Sequence, residues 1–204
     1  MNELKITDIR QAVKNENRVN VFVNGKYSFS LDIAQVVDLH VKKGMVISGE
    51  QLEEFKKASE FGKLYQRALE WSLTRPHSER EVNDYLYKKI YERKLDKNYI
   101  GLIIEKLKAK RYVDDEAFAR WYVENRFVKK GISRKKLSME LMKKGVAREI
   151  IDTVLDLRND EEEIKKIIAK KRAKYDDDKL IAYLCRQGFD FQLTQELVRS
   201  GETD

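Results

Sequence analysis

One spacing recurs three times along this chain and dictates a tandem helical architecture. Ser78 leads to Val82 and Leu86, Ser133 to Leu137 and Leu141, and Asp176 to Leu180 and Leu184. Serine and aspartate favour the N-cap because their side-chain oxygens accept from amides that the first helical turn leaves unbonded. Apolar residues one and two turns further on share a single helix face. Each triplet therefore predicts a capped helix with its inward stripe already marked. Lys143-Lys144-Gly145 and Arg186-Gln187-Gly188 close the second and third copies, where glycine suits the left-handed position just past a helix end. The matching place in the first copy holds Ile90, which predicts that this helix turns later.

A helix is expected on either side of each capped one. Those that follow carry Tyr99, Ile100, Ile103, Ile104 and Leu107, then Ile150, Ile151, Val154 and Leu155, then Leu193 and Leu197. Those that precede run over Leu64–Leu73, Ala117–Val128 and Ile164–Ala173. Three helices close a core poorly on their own, so such units stack on their neighbours. With one Pro and nine Gly in 204 residues, little interrupts helix over most of the chain. The expected fold is mainly α: three tandem three-helix repeats in an elongated array, preceded by a small N-terminal module containing a β-hairpin. The boundaries fall at residues 1–49 for the module, 50–113 for a linking helix with the first repeat, 114–158 for the second and 159–204 for the third.

The module reads differently because its period is two. Arg18 to Val23 and Lys26 to Leu31 alternate around Asn24-Gly25, a pair suited to a type I′ hairpin turn. Ile6 to Val13 offers a third strand and Gly44 to Ile47 a short last one. Between them Asp32 caps a helix through Leu39, with Ile33, Val36 and Val37 expected inward. A long helix then starts at Ser48 and stops at Arg75, before Pro76. Ser78 and Glu81 form the capping-box pattern, each side chain expected on the other's amide.

The residue types that usually carry catalysis have simpler uses here. Asp114-Asp115-Glu116 and Asp176-Asp177-Asp178 each directly precede a helix, where carboxylates cap amides and favour the positive end of the dipole. His40 and His77 lie in different modules, so no zinc-like spacing arises, and Ser78 is accounted for as a cap. No phosphate-loop or dinucleotide glycine pattern occurs. Cys185, the one cysteine, sits in an apolar helical pattern and is expected as a core thiol in a reducing compartment. Without an apolar leader or membrane-length apolar run, the expectation is a cytoplasmic, non-enzymatic protein with no metal or cofactor.

What remains is positive charge: 42 Lys+Arg against 35 Asp+Glu, a net charge of +7. Such a balance favours polyanions, since cations displace counterions from a phosphate backbone. The second unit concentrates Arg126, Lys129, Lys130, Arg134, Lys135, Lys136, Lys143 and Lys144. The first gathers Lys88, Lys89, Arg93, Lys94 and Lys97, and the third Lys165, Lys166, Lys170, Lys171, Arg172 and Lys174. Recurrence of the clusters in a repeat array points to a continuous basic track rather than scattered solvated faces. Tyr85, Tyr87, Tyr91, Trp121 and Tyr122 are candidates for stacking on bases, while Trp71, Phe118 and Trp121 also fall at core spacing.

The stretch Ala68-Leu69-Glu70-Trp71-Ser72-Leu73-Thr74-Arg75-Pro76-His77-Ser78-Glu79-Arg80-Glu81-Val82 resembles the opening repeat of the RecX family, regulators of the RecA recombinase. So does Tyr112-Val113-Asp114-Asp115-Glu116-Ala117-Phe118-Ala119-Arg120, followed by Arg126, Lys130-Gly131 and Glu140-Leu141-Met142-Lys143-Lys144-Gly145-Val146. The resemblance spans about residues 60 to 200, and the hairpin module is similar to that of longer family members. It implies a monomer that lodges in the groove of the RecA–DNA filament, touching single- or double-stranded DNA. There it would inhibit extension, ATPase, strand exchange and co-protease activity, a role in recombination control, DNA repair and the SOS response. The family brings no catalytic residue. A sequence-tolerant nucleic-acid-binding protein without a recombinase partner, and a protein-only adaptor, are the readings from other classes.

Overall fold

The computed structural model describes residues 3–13 and 15–200, with the side chains of residues 127–130 outside the described ones. Four strands come first: β1 (Leu4–Ala12), β2 (Asn15–Val23), β3 (Lys26–Asp32) and, after helix α1 (Ile33–Asp38), the two-residue β4 (Val46–Ile47). Nine further helices follow among the described residues: α2 (Gly49–Ser72), α3 (Glu79–Arg93), α4 (Tyr99–Ala109), α5 (Asp115–Lys130), α6 (Arg134–Lys143), α7 (Arg148–Leu155), α8 (Asp160–Lys171), α9 (Asp177–Arg186) and α10 (Phe191–Ser200). By internal packing the chain divides into two bodies, one running up to Trp71 with Tyr85–Ile103, the other holding Ser72–Asp84 with Ile104 onward.

In the first body the sheet is antiparallel in the order β3-β2-β1-β4. Asn24 and Gly25 both take positive φ, 49° and 78°, as the type I′ turn requires. Alternation then sends Ile6, Val21, Phe29 and Leu31 to one face, where Phe55 of α2 covers them; the Phe29 and Phe55 rings lie 5.7 Å apart. Gln35 ties α1 to α2 by donating to the Ala58 carbonyl at 2.6 Å.

Two expectations fail here. Ile33 and Val37 are 54% and 64% exposed, and only Val36 packs against the core. Six residues of helix present one narrow face, and the Gln35 tether turns that face so that Val36 alone points in. The second failure is α2, which ends at Ser72 and not Arg75. Pro76 denies helix to Arg75 and supplies no amide, so the final turn has nothing to bond and unwinds early.

In the second body α5, α6 and α7 enclose Phe118, Leu137, Leu141, Ile151 and Leu155. Around Ile164, Leu180, Leu184 and Val198, α8, α9 and α10 do the same. Leu137, Leu141, Leu180 and Leu184 are fully buried, as are Val82 and Leu86. Each such leucine contributes roughly 1.5–3 kcal/mol by leaving water. The caps are where the spacing put them: Ser78 accepts from the Glu81 amide, Ser133 from Lys136 and Asp176 from Lys179, at 3.1, 3.1 and 2.9 Å. The reciprocal half of the Ser78–Glu81 capping box is replaced, because the Glu81 carboxylate turns to Arg75, His77 and Lys144. Ionic partners outbid a lone amide for a carboxylate.

The far ends of these helices also correspond. Leu95, Val146 and Phe189 donate their amides to the carbonyls of Ile90, Leu141 and Leu184. Ile90 is thus the terminal counterpart of Leu141 and Leu184, and α3 is one turn longer than α6 or α9. The left-handed position past the end is Gly145 (φ 84°) and Gly188 (φ 90°) in two copies, and Lys94 (φ 53°) in the first.

Candidate functional site

The second body repeats one junction, and the junction builds the candidate site. The start of α6 abuts the end of α9: the Ser133 amide donates to the Gln187 carbonyl at 3.2 Å, and Lys136 Nζ to the Arg186 carbonyl at 2.7 Å. A β-carbon on Gly188 would sit 2.6 Å from Ser133 Oγ, so only glycine admits this approach. The start of α3 meets the end of α6 in the same manner. Ser78 Oγ donates to the Lys144 carbonyl at 2.8 Å, and a β-carbon on Gly145 would lie 2.7 Å from that of Arg80. At both junctions an aspartate from the next unit's first helix caps the leading amide. Asp115 accepts from the Glu79 amide and Asp160 from the Arg134 amide, each at 2.8 Å.

Because α6 and α9 meet end to end, their outer faces leave a groove of about 390 Å³. Leu137 and Leu141 point inward, which puts Lys135, Met139 and Lys143 outward on α6. Arg186, Gly188, Cys185 and Phe189 form the opposite wall. Lys135, Lys143 and Arg186 are exposed, and among the described residues none of them has an ion pair. The one carboxylate in the groove, Glu140, is already engaged. Arg126 grips it with two bonds of 2.9 and 2.8 Å, and the Tyr122 hydroxyl donates to it at 2.9 Å. Those hydrogen bonds, the Arg126 pair first, hold the Glu140 carboxyl below the usual range despite burial, and the same pair raises the Arg126 guanidinium. With its acid neutralised from behind, the groove presents net positive charge beside exposed, apolar Met139, while Phe189 at its floor belongs to the core.

The basic residues read from the sequence separate on this structure. Arg126 and Lys144 hold Glu140 and Glu81, and Lys136 closes the end of α9. Arg134 lends its amide to a cap; the side chains of Lys129 and Lys130 lie outside the described residues. Lys171 rests over the Tyr183 ring at 4.5 Å, and Arg172 bonds the Val198 carbonyl and Asp177, while Lys170 is exposed. In the first body Lys88, Arg93 and Lys94 are exposed and Lys89 pairs with Glu92 at 3.1 Å. Arg186 was missed as a binding residue, though the matching of Arg186-Gln187-Gly188 to Lys143-Lys144-Gly145 was the signal for it.

The acidic runs act as caps, Asp114 accepting from the Glu116 and Ala117 amides. Among the described residues no group of three His, Cys, Asp or Glu is placed to hold a metal, and no helix is long and apolar enough to cross a membrane. Cys185 is half-buried, packing against the core of α8, α9 and α10 while its other side reaches the groove wall.

Comparison with known proteins bears on both bodies. Residues 4–48 match the family described as regulatory protein RecX N-terminal domain, and residues 114–155 match RecX, second three-helix domain. A regulatory protein RecX of Clostridium perfringens is 30% identical, with 96% of this chain and 95% of that one covered. One from Listeria monocytogenes is 30% identical over 98% of this chain and 76% of the relative. For one from Oceanobacillus iheyensis the figures are 29%, 98% and 77%. A crystal structure of regulatory protein RecX shares the fold, with a TM-score of 0.75 at 23% identity over 97% of this chain and 99% of that one. Another, from Lactobacillus salivarius, reaches 0.57 at 21% identity over 72% of this chain and 99% of its own.

Proposed function

The chain belongs to the RecX family of regulatory proteins, and from that premise we propose that it is a negative regulator of the RecA recombinase. It binds in the groove of the RecA–DNA filament as a monomer in the cytoplasm and inhibits extension, ATPase, strand exchange and co-protease activity. The observation that carries the contact is the groove between α6 and α9. Among the described residues its unpaired Lys135, Lys143 and Arg186 suit a phosphate backbone or an acidic protein surface, and exposed Met139 supplies apolar contact. The unit needs no catalytic group: it acts by occupying surface that growth or turnover of the filament requires.

A sequence-tolerant nucleic-acid-binding protein without a recombinase partner is the second reading. It is favoured by the same free cations, which address phosphates and read no base. DNA-dependent ATP hydrolysis by RecA, followed as the protein is titrated in, separates the two. Loss of hydrolysis at substoichiometric protein, unrelieved by excess bare DNA, is the expected result. Loss only at DNA-coating amounts favours simple competition, and no loss at any ratio sinks the RecA reading.

A further inference from the structure

Of the five aromatic residues placed to stack on bases, three are already occupied. Tyr85 lies flat on Trp71, with ring centroids 4.6 Å apart and planes at 5°. Trp121 carries the Arg75 guanidinium at 4.9 Å, and the Tyr122 hydroxyl is bonded to Glu140. Tyr87 and Tyr91 differ. They are 53% and 78% exposed, and among the described residues neither has a ring, cation or hydrogen-bond partner.

The two tyrosines sit one turn apart on α3 and project from the same side, about 6 Å from each other. That separation exceeds the spacing of stacked bases in a duplex, about 3.4 Å. Bases held in a duplex are closed to such rings, whereas a single strand can open to receive them. Lys88 stands beside the pair and Lys94 just past the helix end, both exposed and, among the described residues, without an ion pair. Glu92 is neutralised by Lys89, and Asp84, one turn before Tyr87, is the one other carboxylate on this face of α3. Isolated flat rings between free ammonium groups match alternating bases and phosphates better than the contiguous aliphatic surface of a protein partner.

We propose that the Tyr87–Tyr91 face of α3 binds single-stranded nucleic acid by base stacking, with Lys88 and Lys94 on the flanking phosphates. This rests on the reading that the protein touches DNA, and adds to the α6–α9 groove a second contact, for single strands, on the outer face of α3. The site is indifferent to sequence, since every base has a face to stack, and it discriminates against duplex.

The test is fluorescence anisotropy of the full chain with a labelled oligo-dT, a duplex of equal length and an abasic strand. Y87A/Y91A should weaken oligo-dT binding roughly tenfold or more and leave the salt dependence of binding unchanged. K88A/K94A should weaken it too, and lower the slope of log affinity on log salt by about 0.7 for each lysine. Both pairs lie on an exposed face, and circular dichroism checks that they fold. Unchanged binding by Y87A/Y91A, or equal affinity for the abasic strand, overturns the stacking face alone. Failure of the unmodified chain to bind any strand overturns the DNA reading with it. Retained DNA binding but lost action on the RecA filament in Y87A/Y91A assigns the face to a protein partner and overturns it as well.

Discussion

The Glu81 carboxylate lies 2.7 Å from Lys144 Nζ, 2.9 Å from Arg75 Nη1 and 3.1 Å from His77 Nδ1. Burial pushes its carboxyl up, but hydrogen bonds from Lys144 and Arg75 reverse this and leave it below its ordinary value. A carboxylate depressed by folding adds stability above its unfolded pKa, about 4.3, and loses it as the pH falls through the lower folded value. The chain should therefore weaken on acidification from about pH 5 toward 3. Urea midpoints measured across that range should fall less steeply for Glu81→Gln than for the unmodified chain; equal slopes would remove Glu81 from the acid response. Nothing in the sequence announced this cluster. Ser78-Glu79-Arg80-Glu81 has the form of a capping box, and only tertiary packing brings Lys144 near enough to recruit the glutamate.

Helix ends are where the sequence was most legible and where its limit is plainest. The caps Ser78, Ser133 and Asp176 and the buried leucines follow from local chemistry that acts within one or two turns. The bonds from Asp115 to the Glu79 amide and from Asp160 to the Arg134 amide join residues far apart in the chain, and no spacing rule encodes them. Ile33 and Val37 fail for a related reason: a short helix has its facing set by its tether, not its own pattern. At this scale Gly188→Ala should cost about 1–3 kcal/mol, from left-handed strain and the clash with Ser133 Oγ. Lys94→Gly should be neutral or stabilising by up to about 1 kcal/mol, because it relieves the left-handed strain of an exposed lysine. Opposite signs in chemical denaturation support the correspondence of these positions; a loss of stability in both would contradict it.

For the whole molecule, net charge told only that a polyanion is a fitting partner, not which cations face it. Long side chains divide between internal pairs and solvent according to neighbours that no linear count displays. Arg126 and Lys144 hold carboxylates, whereas Lys135, Lys143 and Arg186 remain free to the groove. Binding of the full chain to duplex DNA should accordingly lose about 0.9 from its log–log salt slope for each of Lys135, Lys143 and Arg186 replaced by alanine. Arg126→Ala should leave the slope alone and lower thermal stability, since it strands Glu140. Isothermal titration at several salt concentrations checks both, and an unchanged slope in the triple variant would move the contact away from this groove.

Gly145 and Gly188 each receive the first turn of the preceding unit's capped helix, and Lys94 holds the corresponding place on α3. A unit inserted ahead of α3 would bring its serine against a lysine β-carbon where the two existing junctions meet glycine, so a repeat added there should seat closely only with Lys94→Gly.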